Sequence, residues 1–150
     1  MNVNVRSAKV EDLNVLTTFL EKANVNKNGI KDILDTCLIM EDEHGAVKAT
    51  LGMERFGVSG LLRSLVMTAD TSEHDLLRLF QEMFLLASQQ GVKDLYLATN
   101  KLGAMRFVEV LGFEMVDKDQ LPMAFAGSDH VKHILTVDNS VFLKRHLALQ

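Results

Sequence analysis

One cysteine, Cys37, stands in 150 residues, so no internal disulfide can form; a reducing compartment fits this without being required. No apolar run approaches the roughly 20 residues that a membrane helix needs. The first residues, Met1-Asn2-Val3-Asn4-Val5-Arg6, lack the apolar core of a secretory leader. Positive charge is in deficit, with 16 Lys and Arg against 20 Asp and Glu, a net charge of −4 and a pI near 5.7. That leaves no broad basic face for nucleic acid or anionic lipid. Repeats, low-complexity tracts and Pro/Gly/Ser linkers are also missing, so nothing divides the chain. What is present is ordinary for a globular protein: 47% hydrophobic and 24% charged residues, with length enough to bury a core. The expectation is a cytosolic protein of one domain over residues 1–150, without a nucleic-acid or membrane partner.

Periodicity supplies the elements. Val3, Val5 and Ser7 alternate with polar neighbours as a short strand, and Leu13, Leu16, Phe19, Leu20 and Ala23 repeat at helical spacing over about 11–23. Ile30, Ile33 and Leu34 predict a second short helix capped by Asn28. Cys37 to Glu41 reads as a strand, closed by the Asp42-Glu43-His44-Gly45 turn. Val47, Ala49, Leu51 and Met53 then alternate with Lys48, Thr50, Gly52 and Glu54, the pattern of a strand with one wet face. Leu61 to Met67 is almost continuously apolar, as in a strand buried on both faces.

A long helix follows, with Leu76, Phe80, Met83, Phe84 and Ala87 on one stripe, Ser72 and Asp75 as a capping pair, and Gly91 as its stop. Asp94 to Ala98 is a strand reached by a helical crossover and is therefore expected to lie parallel to its predecessor. Ala104, Phe107, Val108 and Leu111 mark another helix, closed by Gly112. Phe113 to Asp117 and Val141 to Leu147 read as the last strands.

Some residues stand out before any likeness is drawn. Arg63 and Ser64 interrupt the apolar strand, and a buried arginine must either pair with an internal acid or point into a cleft. His130 and His133 beside Asp129 have a chelating spacing, yet no third ligand follows, so no metal site is expected. Cys37, with no histidine near it in sequence, reads as a small buried hydrophobe.

Two segments carry a family likeness. Leu61-Leu62-Arg63-Ser64-Leu65-Val66-Met67, followed by a loop and a long helix, resembles the central strand and cofactor loop of the GNAT acetyltransferases. Leu95-Tyr96-Leu97-Ala98-Thr99-Asn100, then Ala104-Met105-Arg106-Phe107-Val108-Glu109-Val110-Leu111-Gly112-Phe113, is similar to that superfamily's second cofactor motif. The resemblance implies a single α/β GNAT-like domain, with a mixed, mostly antiparallel central sheet flanked by helices. It implies acetyl-CoA as cofactor and acetyl transfer to the amine of a small-molecule or peptide acceptor. Backbone groups of Val66 and Met67 would hold the pantetheine arm, and Ser72, Glu73, His74, Asp75, Leu76 and Leu77 would lie at the pyrophosphate. Asn100 either lines the cofactor cleft or caps the helix beginning near Gly103. Glu54 is either a general base, as in some superfamily members, or a solvated strand-end carboxylate. A monomer or a homodimer is compatible with the superfamily's habits.

Two departures open an alternative. The loop before the long helix has neither the glycines nor the arginine of the family pattern, and it sets Glu73 and Asp75 where a pyrophosphate would dock. Val108 stands where a proton-donating tyrosine is frequent, and valine has no proton to give. The alternative is a catalytically inactive sensor or interaction module on the same fold, with a vacated acetyl-CoA site.

Overall fold

The computed structural model describes residues 3–137 and 139–147. Seven strands form one sheet in the order β1-β2-β3-β4-β5-β7-β6. They are β1 (Val3–Ser7), β2 (Cys37–Asp42), β3 (Val47–Phe56), β4 (Ser59–Met67), β5 (Asp94–Thr99), β6 (Glu114–Val116) and β7 (Val141–His146). Only β4 and β5 run parallel; every other neighbouring pair is antiparallel. The helices are α1 (Leu13–Lys22), α2 (Glu73–Gln89), α3 (Leu102–Val110) and α4 (Asp129–Leu135).

The α2 and α3 helices cover one face, where Leu79, Phe80, Met83 and Val108 pack on Met40, Leu51, Met53, Leu62, Leu95 and Leu97. On the other face Leu16 and Leu20 of α1, with Ile30 and Leu34 of a 3₁₀ segment (Ile30–Thr36), cover Cys37, Ile39 and Val66. The rest of that face is closed by Phe125 and Val131 against Leu61, Tyr96 and Phe142. Phe125 is the keystone here, its ring 4.6 Å from that of Phe56 and 5.2 Å from that of Tyr96. Burying each such ring contributes about 1.5–3 kcal/mol.

The structure revises parts of the sequence reading. β3 is not wet on one face, since Lys48 and Thr50 are buried along with its apolar residues. Lys48 keeps its charge paired with Asp70, and Thr50 Oγ1 donates to the Ser64 carbonyl at 2.8 Å. The short helix after α1 is a 3₁₀ segment, and its cap is Gly29 at φ +79°, not Asn28. A left-handed entry suits glycine, and the Asn28 carbonyl is left to serve elsewhere. The first helix is preceded by a 3₁₀ turn at Val10–Asp12, so α1 itself starts at Leu13. Between β6 and β7 the chain forms two further 3₁₀ turns and α4, which periodicity did not reveal.

Candidate functional site

Strands β4 and β5 pair over three residues only, Ser59–Leu61 with Asp94–Tyr96. Beyond Leu61 and Tyr96 they diverge, and a cleft opens between their carboxyl ends. The cause lies in β4. Between Thr50 and Gly52 the β3–β4 register shifts, and Ser64 takes φ +59°, a bulge that bends the strand. A serine in the left-handed region is strained. Thr50 Oγ1 holds the bulge by donating to the Ser64 carbonyl. Ser64 Oγ is buried with no hydrogen-bond partner among the described residues, and Ser64 lines the cleft. The cleft has a volume of about 400 Å³, walled by Leu62, Leu65, Met67, Leu97, Thr99 and Val108, among others.

A second cavity of about 580 Å³ adjoins it at Leu65, Met67, Ala104 and Val108, and runs to the start of α2. Ser72, Glu73 and Leu76 form one side and Arg106 of α3 the other. Ser72 Oγ accepts from the Asp75 amide at 3.0 Å and the Ser72 carbonyl accepts from Leu76, which leaves the Glu73 and His74 amides as the open donors of the first turn. The preceding loop is braced: Lys48 pairs with Asp70, and Thr68 Oγ1 donates to Asp70 at 2.6 Å. Those two contacts, Lys48 first, pull the Asp70 carboxyl down to about 2.

A third cavity, about 210 Å³, lies on the other side of β4, lined by Asn28, Gly29, Asp32, Glu54, Ser128 and His130, with Arg63 at its back. Arg63 and His130 line both this cavity and the cleft, so the two adjoin there. Arg63 Nη2 donates to the carbonyls of Asn28 at 2.6 Å and Asn26 at 3.3 Å, while Nη1 stops 3.9 Å from Glu54 Oε1. Burial lowers the Arg63 pKa, and Glu54 opposes that shift. Ser128 Oγ donates to Glu54, 3.1 and 3.3 Å from its two oxygens. His130 Nδ1 lies 3.1 Å from Asn26 Nδ2. Burial, then the charge of Arg63 and that of His133, pull the His130 imidazole down to about 4, so it is neutral near pH 7.

The residues singled out in the sequence are thus distributed unevenly. Met67 and Asn100 line the cleft; Asn100 does not cap α3, whose N-cap is Lys101. Ser72, Glu73 and Leu76 reach the second cavity, whereas the side chains of His74, Asp75 and Leu77 do not line it. The Val66 side chain packs beneath α1 on the opposite face, leaving only its backbone near the cleft. Glu54 and Arg63 meet in the third cavity. Cys37 is buried, which pushes its thiol up to about 12 and keeps it unreactive. Among the described residues no group of three or more His, Cys, Asp or Glu is placed for a metal ion. No helix there is long and apolar enough to cross a membrane.

Sequence reasoning missed His130 as a cleft residue, and it missed Ser128 and Arg106. The signal for the first two was the Ser128 N-cap followed by an apolar residue three places on; its hydroxyl accepts from the Val131 amide.

No protein-family model matches the chain. A curated relative, the uncharacterized protein YwlB of Bacillus subtilis (strain 168), is 30% identical over 146 residues, covering 97% of this chain and 98% of the relative. The chain belongs to the YwlB family. Solved structures define the fold of this YwlB-family protein. N-acetylglutamate synthase from Neisseria gonorrhoeae, complexed with coenzyme A and N-acetyl-glutamate, superposes with a TM-score of 0.78 at 19% identity. The match covers 99% of this chain and 36% of the synthase chain, so this protein spans about a third of that length. Rv2747 from Mycobacterium tuberculosis, in complex with CoA, gives 0.78 at 13% identity, covering 97% and 99% of the two chains. A GNAT-family acetyltransferase from Staphylococcus aureus Mu50 gives 0.75 at 16% identity, covering 98% and 100%. The YwlB-family protein therefore has the GNAT fold, and the mixed, mostly antiparallel sheet agrees with it.

Proposed function

We propose that this protein transfers an acetyl group from acetyl-CoA to the amine of a small-molecule acceptor. The observation that carries the reading is the divergence of β4 from β5 beyond Leu61 and Tyr96, opening a cleft that runs into a cavity at the N-terminus of α2. The residues present fit such a cofactor. Ser64 Oγ is an orphaned buried polar atom at the cleft, and an unmet group of this kind costs about 1–3 kcal/mol until a ligand meets it. The diverging strand edges offer backbone groups to an amide-bearing arm. At the far end the open amides of Glu73 and His74 favour an anion, as helix N-termini do. Arg106 across the cavity supplies the positive charge that the loop itself lacks.

Bound acetyl-CoA would supply a thioester: the acceptor nitrogen bonds to the acyl carbon, the C–S bond breaks with its electron pair on sulfur, and nitrogen's surplus proton is released. The protein's residues would serve the remaining steps. Glu54, fixed by Ser128 with lone pairs still open, holds the acceptor's ammonium and takes its proton, directly or through water. His130, neutral and lining the cleft, takes the Asn26 amide group on Nδ1, which leaves its ring proton on Nε2. That donor can stabilise developing negative charge where Val108 cannot.

A second reading is favoured by one contact. The Ser72 hydroxyl already satisfies the Asp75 amide, and Glu73 stands at the mouth of the cavity, as in a helix that no longer needs an anion. The two readings separate by isothermal titration with acetyl-CoA. Saturable binding supports the acyltransferase; absence of heat at about millimolar cofactor, roughly 4 kcal/mol of affinity, supports the vacated module.

A further inference from the structure

Arg63 is an expensive residue at its position. It interrupts an apolar strand, its side chain is 3% exposed, and Nε has no hydrogen-bond partner among the described residues. Two loop carbonyls take Nη2, and nothing but Glu54 at 3.9 Å faces Nη1. That separation lies beyond hydrogen-bond reach, so the pair face one another without closing. Glu54 is likewise incompletely used: one serine hydroxyl serves both of its oxygens, and a carboxylate accepts about four hydrogen bonds. The two are each other's counter-charge at 3.9 Å with no direct hydrogen bond between them, and both line the same cavity of about 210 Å³. Asp32 and Asp129 line it too, but both are exposed and screened by solvent, so buried Arg63 and half-buried Glu54 set its preference.

We infer that this cavity takes a free amino acid in its zwitterionic form, its carboxylate on the Arg63 guanidinium and its ammonium on Glu54. The inference rests on the acyltransferase reading, because it names the acceptor for the same reaction. Arg63 Nη1, which the Asn26 and Asn28 carbonyls leave free, can donate to a carboxylate oxygen, an acceptor that a lone amine does not bring. A cavity below the roughly 300 Å³ typical of drug-sized ligands suits a molecule of amino-acid size, not a protein N-terminus with its following residues. Arg63 and His130 line both this cavity and the cleft, so an amine held at Glu54 lies next to the side from which the acyl group would come.

The test is calorimetric titration of the protein saturated with coenzyme A, which cannot react, using each of the twenty L-amino acids beside its α-amide. The expected result is saturable binding of at least one amino acid, about tenfold or more tighter than its α-amide. Glu54→Gln should weaken that amino acid by about tenfold while leaving coenzyme A affinity unchanged. Arg63→Lys, which keeps the charge but loses the Nη1 donor, should weaken it too; Glu54→Gln decides the matter if the Arg63 variant fails to fold. Equal binding of acids and amides overturns the inference, as does coenzyme A binding with no amino acid bound. Failure of coenzyme A itself to bind overturns the acyltransferase reading, and the inference with it.

Discussion

Asn26 and His130, 104 residues apart in sequence, meet at 3.1 Å between Asn26 Nδ2 and His130 Nδ1. The contact ties the loop after α1 to α4 across the mouth of the cleft. It also fixes the imidazole's role, since the amide donates to Nδ1 and the ring proton must then sit on Nε2.

The first prediction follows from that ring. Its pKa is about 4 in the fold and near 6.5 when the chain is unfolded, so between those values the unfolded state binds the extra proton. Stability from this group is fully present above about pH 6.5 and is lost as pH falls toward 4. After a discount for the exposed part of the ring, the loss should be about 1–2 kcal/mol. Thermal melts from pH 7.5 to 4.5 should show the decline, and His130→Gln should flatten it. An unchanged slope in the variant would place the acid sensitivity elsewhere.

Removing the acids at the start of α2 should have opposite effects on affinity and stability. Glu73→Gln with Asp75→Asn takes two like charges from the neighbourhood of a bound pyrophosphate, so coenzyme A should bind about two- to thirtyfold tighter at low salt. The gain should shrink as salt approaches 1 M, where the Debye length is about 3 Å. The melting temperature should fall slightly, because both charges complement the helix dipole. Lost stability without any change in affinity would reduce this end of α2 to a capped helix.

Arg106 gives the complementary experiment. Arg106→Ala should weaken coenzyme A by about tenfold at low salt, with a smaller penalty at high salt. Its stability should stay within about 0.5 kcal/mol of the parent, since the side chain is exposed. Dephospho-coenzyme A used beside coenzyme A would report which phosphate the arginine serves. Identical affinities in parent and variant would remove Arg106 from the site.

Gly60, paired with Leu95, sits one step before the last β4–β5 pair. A Cβ there would stand 2.7 Å from Met53 Sδ and 3.1 Å from Leu95 Cδ2. Gly60→Ala should therefore cost about 1–3 kcal/mol, the low end if Met53 swings aside. Urea unfolding measures it directly, and a neutral outcome would mean that the β4–β5 junction is looser than its distances indicate.

Much of the sheet was legible in the sequence because its signals are local. The apolar run Leu61–Met67, the striped helix from Ser72 to the stop at Gly91, and the closure at Leu111-Gly112-Phe113 each declare an element through neighbouring residues. The segment after Pro122 was not legible. Its 3₁₀ turn and seven-residue α4 are too short for a period to emerge, and they hold their shape by burying Phe125 and Val131 against strands far away in sequence.

By itself the sequence determined the succession of strands along the chain, the parallel step after α2, and the absence of glycine from the loop at that helix, since composition and periodicity act through adjacent residues. Only the tertiary structure decided what Arg63, Glu54 and His130 do. Their meaning depends on distances between β3, β4 and a helix some 65 to 75 residues farther along the chain. Whether a buried charge is paired, stranded or aimed into a cavity is set by the atoms that reach it, and those come from every part of the fold. The same holds for Arg106, an ordinary residue of α3 in sequence, which stands across a cavity from Ser72 and Glu73 because the sheet brings α2 and α3 to one face.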